Sequence, residues 1–255
     1  MSNKISIVTF NIRCVYDKDG TNSFIHRAGL IFDKIKKEKP DIIAFQEILE
    51  PHLNFLEKMM PEYIFVGQHR GNTYNGEGLF TAIKKSSFAL MGLKSFWLSP
   101  TPFIPGTRFE TQSKLPRICV STELRHIESG KVLRIFNLHL DHISDEARKQ
   151  GMKCVFDIVE QFNNELEMPM VILGDFNALP ESEVIKMCNG YDTITEITPH
   201  IDVSFHDFGR NAQKIDYIYI SNTLADSVTS VQAWEDECNG IFLSDHYPIC
   251  ANLEL

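Results

Sequence analysis

The chain has 255 residues, of which 43% are apolar and 23% are charged. This composition is typical of a globular protein and excludes an intrinsically disordered chain. The 25 basic and 34 acidic residues give a formal net charge of −9, which repels polyanions at long range and argues against a protein that coats long duplex DNA. A phosphorylated substrate would therefore need local groups that overcome this repulsion.

Apolar periodicity predicts that strands and helices alternate at the start of the chain. The expected strands lie at 4–11 and 41–45, and the expected helices lie at 23–39 and 51–60. Pro40 and Pro61 end the two helices, because proline cannot continue a helix. Before the first strand there is no apolar region of the kind that a signal peptide contains.

Short strands separated by turns are expected next, at 63–67, 78–84, 88–98, 117–126 and 131–140. Ser129-Gly130 indicates a hairpin, and the Pro-, Thr- and Ser-rich segment 99–116 is predicted to be a long loop. After these come a helix at 144–166 and strands at 170–174, 216–221, 227–234 and 248–255. No repeat or linker divides the chain, so residues 1–255 are expected to form one domain of two sheets packed face to face with helices outside.

The six cysteines are scattered and contain no CxxC pair, so they indicate neither a zinc site nor a redox motif. Cys119 and Cys250 lie in apolar, strand-like runs and are expected to be buried. The chain also has no run of about 18 apolar residues, the length that a membrane helix requires. These features predict a reduced, cytoplasmic protein with no membrane partner.

Polar side chains follow several apolar strands at the point where each strand ends. They are Asn11, Gln46-Glu47, Asn137 with His139, and Asp175 with Asn177. Open sheets place their sites at strand ends, and oxygen ligands gathered there suit a hard cation such as Mg²⁺. Asp175 and Asn177 point to the same face if the chain is extended, although Gly-Asp-x-Asn is equally typical of a turn.

Three other acids and two histidines are candidates with open alternatives. Glu47 ends an apolar run, where a carboxylate is costly to bury unless it is paired or metal-bound, but it could also begin a helix. Asp216 could orient a histidine or face water from an edge strand. Asp245 and His246 are adjacent and diverge in extended chain, so they are expected to serve different partners, although most such pairs are surface residues. His139 alternates with other polar residues, which is typical of either a site or a solvent-facing row.

Six short motifs occur in a fixed order along the chain. They are Thr9-Phe10-Asn11-Ile12-Arg13, Phe45-Gln46-Glu47, Asn137-Leu138-His139-Leu140-Asp141-His142, Gly174-Asp175-Phe176-Asn177, Lys214-Ile215-Asp216-Tyr217-Ile218 and Ser244-Asp245-His246-Tyr247-Pro248. In this order, from residue 9 to residue 248, they resemble the endonuclease/exonuclease/phosphatase superfamily of metal-dependent phosphohydrolases. The resemblance implies an α/β (α+β) four-layer sandwich in which two mixed sheets pack face to face.

The resemblance also implies roles for matching residues. Glu47 would be the principal ligand of Mg²⁺, or of Mn²⁺ in its place, with Asn11 and Asp245 close by. Asp175 would position or deprotonate the attacking water. The remaining implied roles are phosphate binding by Asn177 and His139, orientation of His246 by Asp216, and a partnership of Glu77 with His139.

Within the superfamily, three segments resemble a mostly bacterial branch that is similar to cytoplasmic deadenylases and nocturnin-like phosphatases. They are Ser95-Phe96-Trp97-Leu98-Ser99, Leu115-Pro116-Arg117 and Leu140-Asp141-His142 with Ala147-Arg148. Arg117 would then contact phosphate, and the loop with His206 and Phe208 would face the substrate, where an aromatic ring could stack on a base. Phe109-Glu110 stands where relatives often carry Trp-Asp, which puts the substrate contacts of that loop in doubt.

These features predict a Mg²⁺-dependent phosphohydrolase that acts as a 3′–5′ exonuclease on short single-stranded RNA or nucleotides. One alternative is a phosphomonoesterase that acts on a small phosphorylated metabolite or nucleotide cofactor. A binding module on an inactive scaffold is another, but the catalytic set is complete, which argues against it. Long duplex DNA is not an expected substrate, and no obligate protein partner is evident.

Overall fold

The computed structural model describes residues 4–15 and 17–255, which form two mixed sheets covered by helices. The strands are β1 Lys4–Asn11, β2 Ile42–Ile48, β3 Tyr63–His69, β4 Gly78–Lys84, β5 Phe88–Trp97, β6 Ile118–His126, β7 Val132–His139, β8 Met170–Asp175, β9 Ile194–Glu196, β10 Asp216–Ser221, β11 Val228–Ala233, β12 Glu237–Cys238, β13 Ile241–Phe242 and β14 Ile249–Glu254. The α-helices are α1 Phe24–Glu38, α2 Glu50–Met59, α3 Asp145–Glu165 and α4 Glu183–Asn189, and 3-10 helices lie at Asp17–Asn22 and Asn222–Ser227.

The expected four-layer sandwich is confirmed. The first sheet has the order β11-β14-β1-β2-β4-β3, and the second has the order β5-β6-β7-β8-β10-β9. Their facing sides share an apolar core that includes Ile7, Ile135 and Leu173. Ile31 of α1 and Leu56 of α2 belong to the cluster on the outer face of the first sheet, and α3 and α4 cover the second sheet.

Two parallel strand pairs bring the strand ends of interest to one edge of the sandwich. β1 runs parallel to β2 after the crossover through α1, and β7 runs parallel to β8 after the crossover through α3. In register, Asn11 lies opposite Gln46, and His139 lies opposite Asp175. β10 starts beside the end of β8, so that Asp216 also pairs with Asp175. The carboxyl ends of the parallel strands therefore form the floor of one site.

A buried polar contact joins the two sheets directly beneath this edge. Gln46 donates from Nε2 to Oδ1 of Asn137 over 2.8 Å, and Asn137 donates from Nδ2 to the carbonyl oxygen of Phe45 over 3.0 Å. Both side chains are fully buried. Because each polar group finds a partner, the contact sets the position of one sheet against the other at low cost.

The structure adds elements that the sequence pattern does not predict. Helix α4 is too short for a clear period, and only Val184, Ile185 and Cys188 turn inward. The three-residue strand β9 is equally short. The six cysteines are free thiols, and Cys119 and Cys250 are buried as expected. Among the helices of the described residues, none is both long and apolar enough to cross a membrane.

A buried arginine of α1 holds the segments that carry the first and last motifs. Arg27 has no exposed surface, and its guanidinium donates to the carbonyl oxygens of Asn22, Ile12 and Leu243 at 2.6 to 2.9 Å. Burial lowers the pKa of Arg27 to about 10, so it remains charged at neutral pH. Replacing Arg27 by methionine leaves these carbonyls without donors. We expect the free energy of unfolding in urea to fall by about 3 kcal/mol or more.

The matched control is Arg125→Met, because Arg125 is exposed on β6. A surface substitution of this kind should change the free energy of unfolding by less than about 0.5 kcal/mol. Equal stability of the two variants would contradict the structural role of Arg27.

Candidate active site

A cavity of about 730 Å³ opens where these strand ends meet. Its acidic lining residues are Glu47, Glu77, Asp145, Asp175, Glu181 and Asp245, and its basic ones are Arg13, Arg117, Arg148, His139, His142 and His246. Carboxylates thus outnumber guanidinium groups by six to three. Of the expected site residues, the cavity brings together Glu47, Glu77, Arg117, His139, Asp175, Asn177, Asp245 and His246.

Glu47 sits on a bulge at the end of β2. The register of β2 against β4 shifts between Phe45 and Ile48, and Glu47 adopts a φ of 62°. Its Oε1 accepts from Asn11 Nδ2 over 3.1 Å, and its Oε2 accepts from the backbone N–H of Cys14 over 2.8 Å. Burial raises the pKa of Glu47, but these hydrogen bonds and the charge of His246 outweigh it and lower the pKa to about 2. The carboxylate is therefore ionised and fixed in direction.

Asn11 lies at the centre of the site as a hydrogen-bond donor. Besides Glu47, its Nδ2 lies 3.0 Å from Oδ2 of Asp175 and 3.4 Å from Nε2 of His246. Its Oδ1 accepts from the backbone N–H of Arg13 over 3.0 Å. The structure places Asn11 between the carboxylates of Glu47 and Asp175, as expected, with its amide nitrogen facing both.

Asp175 is brought against His139 by a strand end that only glycine permits. Gly174 has a φ of 146°, and a Cβ there would lie 1.9 Å from the carbonyl oxygen of Leu138. Oδ2 of Asp175 lies 3.4 Å from Nε2 of His139. Burial and the neighbouring Asp216 raise the pKa of Asp175 to about 7. Burial and the charge of nearby arginines lower the pKa of His139, which keeps its ring neutral.

His246 and Asp216 form a direct buried pair. Nδ1 of His246 lies 2.8 Å from Oδ2 of Asp216, while its Nε2 points toward Asp175 at 3.8 Å. Burial lowers the pKa of His246, but the charge and hydrogen bond of Asp216 and the other acids outweigh it and raise the pKa to about 10. The ring is therefore a protonated donor aimed into the cavity from Nε2.

A group of potential metal ligands lies on the side of the cavity formed by β2 and β7. One ligand atom each of Glu47, Glu77 and His139 lies within 4.8 Å of the others. Glu77 also pairs with Arg70 over 2.8 Å. Asp245 faces Arg13 over 3.2 Å. Burial and the charge of Glu47 raise the pKa of both Glu77 and Asp245, although the neighbouring arginines act in the opposite direction.

Arg117 and Asn177 supply further hydrogen-bond donors to the lining of the cavity, and Arg117 lies beside Glu77 and His139. Arg117 is 3% exposed and donates from Nη2 to Nδ1 of His142 over 3.0 Å. Its Nε and Nη1 are buried and have no hydrogen-bond partner among the described residues. Burial and the charge of Arg70 lower the pKa of Arg117 to about 10. Asn177, at a φ of 49°, donates from Nδ2 to the carbonyl oxygen of Leu140 over 3.1 Å.

The structure does not bring His206 and Phe208 to the cavity, contrary to expectation. His206 is buried, and its ring stacks on Tyr247 at 4.0 Å and packs against Phe242 at 4.8 Å. Phe208 has a φ of 54° and also turns toward Phe242. The tight turn after Phe205 directs both rings away, and Phe205 itself lines the cavity beside His246, with ring centroids 4.9 Å apart.

Some residues that line the cavity were not among the expected site residues. For one of them, the local sequence does indicate its position. Arg13 lies two residues after Asn11, so the alternation of an extended chain could have placed both on one side. No feature of the local sequence distinguishes Phe205 from its aromatic neighbours as the residue that lines the cavity. Arg70 and Glu77 flank the loop that joins β3 to β4, so their ion pair follows from the pairing of these two strands.

Comparison with known proteins agrees with this geometry. Residues 8–246 match the Endonuclease/Exonuclease/phosphatase family. The crystal structure of an endonuclease/exonuclease/phosphatase from Bacteroides vulgatus superposes with a TM-score of 0.91 at 27% identity and covers 99% of both chains. A mannosyl-6-phosphatase from Bacteroides thetaiotaomicron has a TM-score of 0.87 at 21% identity, covering 97% of this chain and 98% of that one.

Human tyrosyl-DNA phosphodiesterase 2 is 27% identical over 187 residues, which is 72% of this chain and 44% of the human protein. The chain therefore spans less than half the length of this relative. Given the match over nearly its whole length, the chain belongs to the Endonuclease/Exonuclease/phosphatase family, whose members are hydrolases of phosphate esters.

Proposed function

We propose that this protein is a divalent-metal-dependent hydrolase that cleaves phosphate esters by attack of water. The observation that carries the proposal is the meeting of two carboxylates, the half-buried Glu47 and the buried Asp175, with the His246–Asp216 pair at one cavity. A purely structural cluster would have no reason to leave these groups facing a cavity of this size.

The donor set of the cavity fits a hard divalent cation. Glu47 would hold it, with Glu77 and Asp245 beside it, and the excess of carboxylates over arginines would be offset by its charge. Mg²⁺ is the proposed ion, and Mn²⁺ could take its place. When bound, such an ion neutralises phosphoryl oxygens and stabilises the negative charge that develops on them.

The remaining roles follow from the protonation states of the side chains. Asp175, with a pKa near 7, can accept a proton from the attacking water at neutral pH. His246 would donate a hydrogen bond from Nε2 to the phosphoryl group, with Asp216 holding its ring in place. Asn177 and Arg117 would bind the other phosphoryl oxygens.

The same groups serve phosphodiesters and phosphomonoesters. The 3′–5′ exonuclease expected from the sequence is supported by Phe205, whose ring could stack on a base. A phosphomonoesterase is supported by the unpaired donors of Arg117. The names of the relatives include both a phosphodiesterase and a phosphatase, so family membership leaves this choice open.

Metal dependence gives the direct test of the proposal. The protein is stripped with EDTA, and hydrolysis of p-nitrophenyl phosphate and bis-p-nitrophenyl phosphate is followed before and after addition of Mg²⁺ or Mn²⁺. We expect chelation to lower the rate at least about 100-fold and either ion to restore it. A rate that is the same with and without EDTA would exclude a metal-dependent mechanism.

A further inference from the structure

We infer that the substrate of this site is a small phosphomonoester whose leaving alcohol is uncharged and rich in hydroxyl groups, as in a sugar or polyol phosphate. The inference rests on the proposed function and deepens it. It reverses the order of substrates that the sequence favours, since short RNA was expected first. The observations concern the donors at the base of the cavity and the composition of its rim.

The base of the cavity offers more donors than a phosphodiester can use. A terminal phosphate presents three non-bridging oxygens, whereas a diester presents two. Arg117 lines this cavity together with His246 and Asn177, and two of its buried nitrogens have no partner among the described residues. Two buried guanidinium nitrogens without partners are costly unless a ligand pairs with them. A dianionic terminal phosphate satisfies this demand better than a diester does.

The rim is unsuited to a nucleic acid strand. No lysine lines the cavity in the part of the chain that the structure describes. Asp145 has a side chain that is 78% exposed, and Glu181 is also exposed, so two carboxylates stand at the mouth. The charge of Arg148 is already matched by Asp145. A further phosphate of a strand leaving the cavity would meet the exposed carboxylate of Glu181, while the Asp145–Arg148 pair adds no net positive charge to hold it.

The same rim suits a neutral, hydroxylated molecule. Glu181, Asp145 and Gln213 provide carboxylate and amide oxygens that accept hydrogen bonds from hydroxyl groups. Phe205 and Ile215 provide an apolar wall for the C–H faces of such a ligand. This combination of acceptors and an apolar surface is complementary to a sugar or polyol. It is not complementary to the charged phosphodiester backbone of a nucleic acid.

The reaction balances without any further reactant. The oxygen of water forms a bond to phosphorus while the bond from phosphorus to the alcohol oxygen breaks. One proton of the water passes to Asp175, the leaving alcohol oxygen takes a proton from solvent water, and Asp175 then returns its proton to the solvent, so that the site is regenerated. The products are inorganic phosphate and the free alcohol.

The test compares initial rates of the Mg²⁺-loaded protein on hexose 6-phosphates, polyol phosphates, 5′-mononucleotides, a dinucleotide, a short RNA and p-nitrophenyl phosphate. We expect kcat/KM of the best sugar or polyol phosphate to exceed those of the mononucleotides by about tenfold and that of RNA by more. Hydrolysis of p-nitrophenyl phosphate combined with an equal or higher kcat/KM on RNA or mononucleotides overturns this inference alone. No hydrolysis of any ester overturns the proposed function as well.

A pair of variants tests the rim itself. Glu181→Ala should raise KM for the best hydroxylated substrate by about tenfold, the effect of a lost charged hydrogen bond, and raise KM for p-nitrophenyl phosphate far less. The control is Glu183→Ala, because Glu183 begins α4 nearby, is exposed and pairs with Lys186 outside the cavity. Equal effects of Glu181→Ala on both substrates would contradict a contact with substrate hydroxyls.

Discussion

Replacing Glu47 by glutamine is expected to abolish metal-dependent hydrolysis. Glutamine keeps the size of the side chain but removes the charge that the structure buries and orients by two hydrogen bonds, from Asn11 and Cys14. Because the pKa of Glu47 is about 2, the wild-type carboxylate is ionised at every pH suitable for an assay. We expect kcat/KM to fall at least about 1,000-fold and the affinity for Mg²⁺, measured by calorimetry, to fall with it.

The stability of this variant must be measured beside its activity. The glutamine variant loses one hydrogen bond at this position. We therefore expect its free energy of unfolding to decrease by about 1 to 3 kcal/mol while the variant remains folded. Glu57→Gln serves as the control, since Glu57 is exposed on α2 and away from the cavity. Full activity of folded Glu47→Gln would refute the assignment of Glu47 to the metal.

Removing the imidazole of His246 should produce the second large effect. The ring is a protonated donor held by Asp216 at 2.8 Å. We expect His246→Ala to lower kcat by about 100-fold to 10,000-fold while KM changes little, because the lost contact acts on charge that develops in the transition state. A large rise in KM with unchanged kcat would instead mean that His246 serves ground-state binding.

Asp216→Asn tests the orienting role through the pH dependence. Asp216 raises the pKa of His246 to about 10, so the wild-type ring keeps its proton as the pH rises to that value. Loss of this carboxylate lowers that pKa. The basic limb of the pH–rate profile of kcat should therefore move to lower pH in the variant. Asp202→Asn, at an exposed position, should leave the profile in place, and an unmoved limb in Asp216→Asn would argue for a merely structural carboxylate.

Much of the fold can be predicted from local sequence. The bounds of Lys4–Asn11 and Gly78–Lys84 agree with the expected strands, and those of α1 differ by one residue at each end. These segments are predictable because apolar periodicity and flanking prolines act on neighbouring residues. Helix α4 and strand β9 escape prediction because they are too short to show a period.

The orientation of single side chains is less predictable. Asn11 has the residue type of a metal ligand, and only the structure shows that its amide nitrogen faces Glu47 and Asp175. The sequence of the loop at 204–208 offers three aromatic or imidazole rings, and only the course of the turn directs Phe205 rather than its neighbours to the cavity. Which side chain faces the cavity depends on the backbone dihedral angles of one or two residues.

The sequence by itself was sufficient to identify the family and the chemical groups at the strand ends, because short contiguous motifs contain the residues that define both. Only the tertiary structure decided which groups meet. Asn11 and Asp175 are separated by 164 positions and come within 3.0 Å through two parallel crossovers and the packing of two sheets. The unpaired donors of Arg117 and the acidic rim arise in the same way, since pairing and burial depend on the register of distant segments. The net charge of −9 disfavours a polyanionic substrate. The structure shows that one of the acids responsible, Glu181, lines the cavity.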